Sequence, residues 1–263
     1  MLSNSEVKRL TSFKQKKYRD QEKRFLVEGV RLCEELTHST FEVERLIYSA
    51  EAYSAQRSHA VIKKNSDKGI VCTQAEPKQI AKISDTVSPQ GIVAIAVQKK
   101  ESLQSISRGG GKLIVALLDL RDPGNIGAIL RTASWFGVDG LLLCGNSIEL
   151  YNPKVVRASM GAIFHLPVVE NVALSAALND NLFAEYNLFL ADTHGSANYH
   201  EVSYTGKQML ILGGETASVP DHLKRSVQGR IHIPARGAGD SLNVSVAAGI
   251  ILAQMVKEQN ERT

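Results

Sequence analysis

Cysteine is scarce in this chain, and what there is does not pair. Cys33, Cys72 and Cys144 are widely spaced and odd in number, with no CxxC pair. That argues against a disulfide framework and against a zinc or redox motif. Each cysteine lies beside apolar residues and reads as a small buried thiol. Long apolar runs are missing too. The longest candidates, near 113–118 and 244–253, are the size of a strand or one buried helix, short of the roughly 20 residues that span a bilayer. The opening residues lack the apolar stretch of a secretory signal, so a cytoplasmic protein is expected. There is no GxxxxGKS/T, and no GxGxxG opens a helix after a strand, which argues against an NTPase and a nicotinamide-dependent enzyme.

What is present suits two modest domains: 263 residues, 43% of them apolar, are enough for two cores. A net charge of +4 says little, but its placement says more. Residues 1–31 hold Lys8, Arg9, Lys14, Lys16, Lys17, Arg19, Lys23, Arg24 and Arg31 against four acids, the electrostatic footprint expected of a phosphate-backbone partner.

The first part reads as an α/β unit. A helix is expected from Ser3 to about Lys16, a strand at Phe25–Val27 and a helix from Gly29 to Thr37. Strands follow at Phe41–Tyr48, Gly69–Thr73 and Gln90–Val97. A polar stretch ending in three glycines, 98–112, marks a linker. The expected division is 1–105 for the first domain, 106–112 for the linker and 113–263 for the second domain. In the second, apolar strands at Leu113–Leu118, Val138–Leu143, Asn187–Ala191, Gln208–Leu212 and Arg230–Ile233 alternate with helices. Those helices are expected at Gly124–Phe136, Pro153–Met160, Val172–Tyr186 and Leu242–Lys257. The pattern implies an α/β fold with a mostly parallel sheet covered on both faces and a ligand site beyond the carboxyl ends of the strands.

Three segments carry chemistry. In Asp122-Pro-Gly-Asn125 the aspartate can cap a helix whose first residue is Pro123. Arg131, among apolar neighbours on that helix, has a fork that could grip a phosphate or a carboxylate. Leu210-Ile-Leu-Gly-Gly-Glu215 is a strand running into Gly213, Gly214 and a carboxylate; Glu215 could orient Arg131 or a ribose hydroxyl. In the stretch from Ile231 to Asn243, a strand enters a glycine-rich loop that carries Arg236, and Ser241 can cap the helix that follows. Ser241 and Asn243 are expected at the mouth of a buried helix, where polar groups must be hydrogen-bonded or used.

These segments resemble the three motifs of the SpoU family of RNA ribose 2′-O-methyltransferases, in the SPOUT superfamily. The matches are Asp122-Pro-Gly-Asn-Ile-Gly-Ala-Ile-Leu-Arg131, Leu212-Gly-Gly-Glu215, and Ile233-Pro234 followed by Ser241-Leu-Asn-Val-Ser-Val-Ala247. The segments Lys23–Glu35 and Ser84–Gly91 resemble that family's small N-terminal substrate-binding module. The resemblance implies a deep trefoil knot around the last strand and helix, a homodimer, and S-adenosylmethionine as cofactor, with no metal. It places Asn125, Arg131, Glu215, Ser241 and Asn243 at active-site positions. Gly213, Ile233 and Leu242 fall at positions that hold the cofactor through the backbone, and Ala191-Asp-Thr-His-Gly195 ends a strand at the same height. The chain departs from the family pattern at Thr216 and Ser218, where glycines are usual, and at Ala235, where methionine is common. The implied activity is 2′-O-methylation of RNA, with ribosomal RNA favoured over transfer RNA. A non-catalytic RNA-binding or assembly protein of the same fold is the alternative.

Overall fold

Ser3 opens the first helix with a reciprocal cap. Its Oγ accepts from the Glu6 N–H at 3.3 Å, and the Glu6 carboxylate accepts from the Ser3 N–H at 2.8 Å. In the computed structural model, which describes residues 2–108, 111–179, 182–214, 219 and 221–260, the chain divides into two units. The first comprises residues 1–99 and 151–165, the second residues 100–150 and 166–263.

In the first unit, α1 (Asn4–Ser12) stops short of the expected Lys16, because Gln15 turns extended and starts a separate α2 (Lys16–Glu22). Then come β1 (Arg24–Glu28), α3 (Val30–Thr37), β2 (Val43–Tyr48), α4 (Ala50–Ser54), α5 (Gln56–Asp67), β3 (Val71–Gln74), α6 (Pro77–Ile83) and β4 (Ile92–Val97). The sheet runs β1-β4-β2-β3. Its β1–β4 and β4–β2 pairs are antiparallel and its β2–β3 pair is parallel.

The basic stretch is less open than its composition suggests. Arg9 binds Glu22 at 2.7 Å and Glu44 at 3.2 Å, Arg24 binds Glu44 at 2.7 Å, and Lys16 pairs with Asp20. Arg19 is buried and donates to the Phe13 carbonyl. Four of the nine cations therefore help build the unit, while Lys8, Lys17, Lys23 and Arg31 stand exposed.

The second unit opens with α7 (Leu103–Arg108), inside the stretch read as a linker. Ile106 anchors this helix in the unit's core. It continues with β5 (Leu113–Leu118), α8 (Pro123–Trp135) and β6 (Gly140–Cys144). The chain next makes α9 (Pro153–Ala158), which belongs to the first unit and packs on β1. There the Tyr151 ring lies 4.5 Å from that of Phe25. Back in the second unit follow β7 (Val168–Val172), α10 (Leu174–Asn179), β8 (Tyr186–Ala191), β9 (Ala197–Asn198), β10 (Lys207–Gly213), α11 (Asp221–Ser226), β11 (Gly229–His232) and α12 (Val244–Asn260).

The seven-stranded sheet has the order β7-β6-β5-β10-β8-β11-β9, and all its pairs are parallel. Its central strands read as continuous apolar runs because both faces are covered; β5 and β10 are buried along almost their whole length. The helix expected over Val172–Tyr186 is instead the end of β7 plus the short α10. Asn171 takes a left-handed φ of 57°, and the β6–β7 register shifts there, breaking the alternation that would mark a strand. Among the described residues no helix is long and apolar enough to cross a membrane.

Candidate active site

Because the strands are parallel, the carboxyl ends of β5, β6, β8, β10 and β11 share one edge of the sheet. Asp119, just past β5, organises it. Its backbone is left-handed at φ 51°, a conformation that aspartate tolerates better than most side chains. From there its carboxylate accepts the Asn146 N–H at 2.7 Å. A Cβ on Gly145 would lie 2.5 Å from that carboxylate, and one on Gly214 would lie 2.6 Å from the Asp119 carbonyl. Gly214 in turn donates to the Leu118 carbonyl at 2.9 Å. The ends of β5, β6 and β10 thus close on one another with no space for a side chain. Beside them, burial and the neighbouring Asp119 charge push the Cys144 thiol up to about 12.

The first motif folds as its residue types dictate. Asp122 caps α8 by accepting the Asn125 N–H at 2.7 Å, and Pro123 is the first helical residue. Ile126, Ile129, Leu130 and Ala133 are buried, while Arg131 and Trp135 are exposed. α12 packs on α8. A Cβ on Gly249 would meet Thr132 at 3.7 Å, and Asn243 Nδ2 donates to Asn125 Oδ1 at 3.0 Å. The two helices therefore run parallel from a shared mouth. Two motif residues 118 positions apart are joined there by their side chains.

Asn243 is the cap of α12. Its Oδ1 accepts from the Ser245 N–H at 2.9 Å and the Ser245 hydroxyl at 2.6 Å, and its carbonyl accepts the Ala247 N–H at 3.0 Å. The expectation that Ser241 caps this helix is corrected: the helix begins at Val244, and Ser241 stands exposed in the preceding loop. The helix itself is half-buried. Ala248, Ile251, Leu252 and Met255 face the core, and Val246 is exposed. Ser241 and Asn243 are therefore accessible rather than buried.

Of the other expected site residues, Gly213 ends β10, Ile233 directly follows β11 and is partly buried, and Leu242 is 50% exposed beside Asn243. Residues 234–243, Arg236 among them, are exposed. Glu215, Thr216 and Ser218 lie outside the described residues.

A polar anchor that the sequence did not reveal lies beyond β8. Burial works against the Asp192 charge, but the His194 N–H at 2.9 Å and Arg230 at 2.8 Å hold its carboxyl below the usual range. A Cβ on Gly195 would strike the Arg230 carbonyl at 2.7 Å, so this loop lies directly on β11. At the neighbouring register pair of β11 and β9, His232 Nδ1 and Asn198 Oδ1 are buried without a hydrogen-bond partner among the described residues. Such groups suit a ligand that carries both donors and acceptors.

With this geometry in view, comparison with known proteins is direct. The model of the SpoU rRNA Methylase family matches residues 112–253, and that of the MRM3-like substrate binding domain matches residues 4–94. The chain belongs to the SpoU rRNA Methylase family. It is 30% identical over 251 residues to the 23S rRNA (guanosine(2553)-2'-O)-methyltransferase RlmP of Bacillus subtilis, covering 95% of each chain. It is 27% identical to the 23S rRNA (uridine(2479)-2'-O)-methyltransferase of Streptomyces viridochromogenes, over 89% of this chain and 83% of the relative. The crystal structure of an AdoMet-bound rRNA methyltransferase from Sinorhizobium meliloti superposes with a TM-score of 0.86 at 29% identity. That match covers 98% of this chain and 96% of the other.

Proposed function

We propose that this protein transfers a methyl group from S-adenosylmethionine to the 2′-hydroxyl of a ribose in ribosomal RNA. The observation that carries the reading is the Asn243–Asn125 hydrogen bond. It joins the first and third motifs at the mouth of α8 and α12, on the helix that presents Arg131 to solvent. Both relatives named above are 23S rRNA 2′-O-methyltransferases.

The residues present fit the cofactor. Gly213, Ile233 and Leu242 would hold it through their backbone, near His232 Nδ1 and Asn198 Oδ1, which have no hydrogen-bond partner among the described residues. S-adenosylmethionine supplies an electrophilic methyl on a sulfonium, chemistry that calls for no metal. The protein's task is then position. Arg131 grips the phosphate beside the target ribose and aims the 2′-hydroxyl. A guanidinium is a poor base, so Arg131 acts through charge and geometry. Asn125 and Asn243 fix the nucleotide side of the mouth, and Ser241 orients the ribose.

The same reading includes a homodimer, because Trp135 at the end of α8 is 85% exposed, and Leu242, just before α12, and Val246, on it, are 50% exposed each. It includes the trefoil knot as well. β11 lies beyond β8, yet α12 packs on α8, which follows β5, so residues 233–243 must cross back over the strand ends. The first unit binds RNA and the second carries the chemistry, in the cytoplasm. The test is methyl transfer from labelled S-adenosylmethionine to ribosomal and transfer RNA fractions, with nuclease digestion and mass spectrometry to identify the nucleoside. Ribosomal RNA should gain a 2′-O-methylnucleoside. Arg131→Ala should lower turnover about 100-fold or more while cofactor binding survives. Label on a base, or full turnover by the variant, would refute the assignment.

A further inference from the structure

The first unit contains a cleft of about 250 Å³, smaller than most small-molecule sites, which run from roughly 300 Å³ upward. Leu32, Ile92, Val93 and Met160 line it with apolar surface, and Arg31 and Arg157 are its basic lining residues. Two acidic or amide groups that could compete for a ligand there are already committed. Glu28 accepts from the Ser84 hydroxyl and from the Asp85 N–H at 2.9 Å. Gln90 Oε1 caps α3 by accepting the Val30 N–H at 2.9 Å.

The arginines are not similarly exhausted. Arg157 comes from α9, which follows β6 in the chain but folds into the first unit. Its Nη2 donates to Asp85 at 2.9 Å, which fixes the plane of the guanidinium. Its Nη1 is buried and has no hydrogen-bond partner among the described residues. A buried charged donor left without an acceptor is costly unless a ligand completes it. Arg31, on the first turn of α3, is exposed and lines the same cleft.

We infer that this cleft seats one unpaired nucleotide of the RNA substrate, its base on the apolar lining and its phosphate between Arg31 and Arg157. Proteins read RNA mainly through such splayed, unpaired nucleotides. The inference rests on the methyltransferase reading for its ligand. It adds a second RNA contact, apart from the one that meets the methyl donor.

The experiment uses the full chain, large-subunit ribosomal RNA transcribed with 4-thiouridine, and the variants Arg31→Gln, Arg157→Gln and Lys63→Gln. Lys63 is an exposed cation on α5, outside the cleft. Arg31→Gln and Arg157→Gln should each raise the Kd for RNA about tenfold and flatten the salt dependence by about one phosphate contact. The loss should fall on KM for RNA, with S-adenosylmethionine affinity unchanged. Photo-crosslinks should map to 28–32, 84–90 or 157–160. Arg31 is exposed, so its variant tests the idea even if Arg157→Gln disturbs folding. Wild-type affinity and salt slope in Arg31→Gln, or an equal effect from Lys63→Gln, would overturn the cleft assignment while leaving the enzyme reading intact. So would tight binding of free mononucleotides that RNA does not displace. A wild-type chain that neither binds nor methylates the RNA would instead remove the enzyme reading, and the cleft's ligand with it.

Discussion

Replacing Asn243 separates the two jobs this side chain does. Asn243→Ala removes the α12 cap and the bond to Asn125 together. Asn243→Ser keeps a capping oxygen but is too short to reach α8. Loss of an asparagine cap costs about 1 kcal/mol, and loss of a neutral hydrogen bond about 0.5–1.5 kcal/mol. Both groups are solvent-accessible, so the low end of the hydrogen-bond range applies, and Asn243→Ala should cost about 1.5 kcal/mol. At about 2–4 °C per kcal/mol for a domain of this size, Tm should fall by about 3–6 °C, and Asn243→Ser should recover more than half of that. Activity should behave otherwise. If the bridge positions the mouth of the site, kcat/KM for RNA should fall about tenfold in both variants, equivalent to about 1.4 kcal/mol of transition-state stabilisation. Asn125→Ala should match them, and the double variant Asn125→Ala/Asn243→Ala should be no worse than either single, the non-additivity expected of contacting residues. The assays are thermal denaturation and methyl transfer at subsaturating RNA. Full activity in Asn243→Ser would show that the residue is only a cap, and additive losses in the double variant would show that the bridge does not couple the two helices in catalysis.

Gly214→Ala should destabilise the second unit by about 1–3 kcal/mol and weaken S-adenosylmethionine binding in calorimetry, because the new Cβ would stand 2.6 Å from the Asp119 carbonyl, a backbone atom with little freedom to move. Asp192→Ala should release the 192–195 loop from Arg230 and raise its backbone hydrogen exchange, while exchange in β5 stays unchanged. Burial pushes Cys33 and Cys144 up to about 12, whereas Cys72 is half-exposed. Iodoacetamide at pH 8 should therefore label Cys72 alone in the folded protein, as read by mass spectrometry. Since the native state keeps thiol protons that the unfolded chain releases near pH 9, their contribution to stability is complete below pH 9 and declines as pH rises toward 12.

The second unit was largely legible in the sequence, and the first only in outline. Leu113–Leu118 forms a strand over the expected residues, because a six-residue apolar run between a glycine-rich stretch and an aspartate has few other uses in an α/β chain. The Asp122–Pro123 helix start is equally local information. Helices α5 and α6 were missed because they bury few side chains each and carry many exposed polar residues. α7 was missed because a single buried isoleucine, Ile106, holds it in a polar, glycine-flanked context. At the site, the motif segments could be named but not the cap: periodicity cannot tell whether a helix starts at Leu242 or two residues later, and that shift passes the cap from Ser241 to Asn243. Asp119 left one usable trace, an aspartate at a strand end where αL backbone is tolerated. The Asp192–Arg230 pair left none, since its partners are 38 residues apart and meet only through the order of β8 and β11.

The polar residues of the motifs divide by what the fold already asks of them. Asp122 is taken up in capping α8, Asp119 in closing three strand ends, and Asn243 in capping α12. A group committed in this way cannot also move with a substrate, but it fixes the place where others act. Asn243 shows how one side chain serves both ends, since its oxygen is spent on α12 while its amide reaches Asn125. Arg131 and Ser241 are the accessible motif side chains to which the described residues give no such structural duty, and they stand on the two segments whose mouths the asparagine bridge ties together. On the proposed function substrate chemistry falls to them, and a variant that spares both yet breaks the bridge should lose rate without losing the ability to bind either reactant.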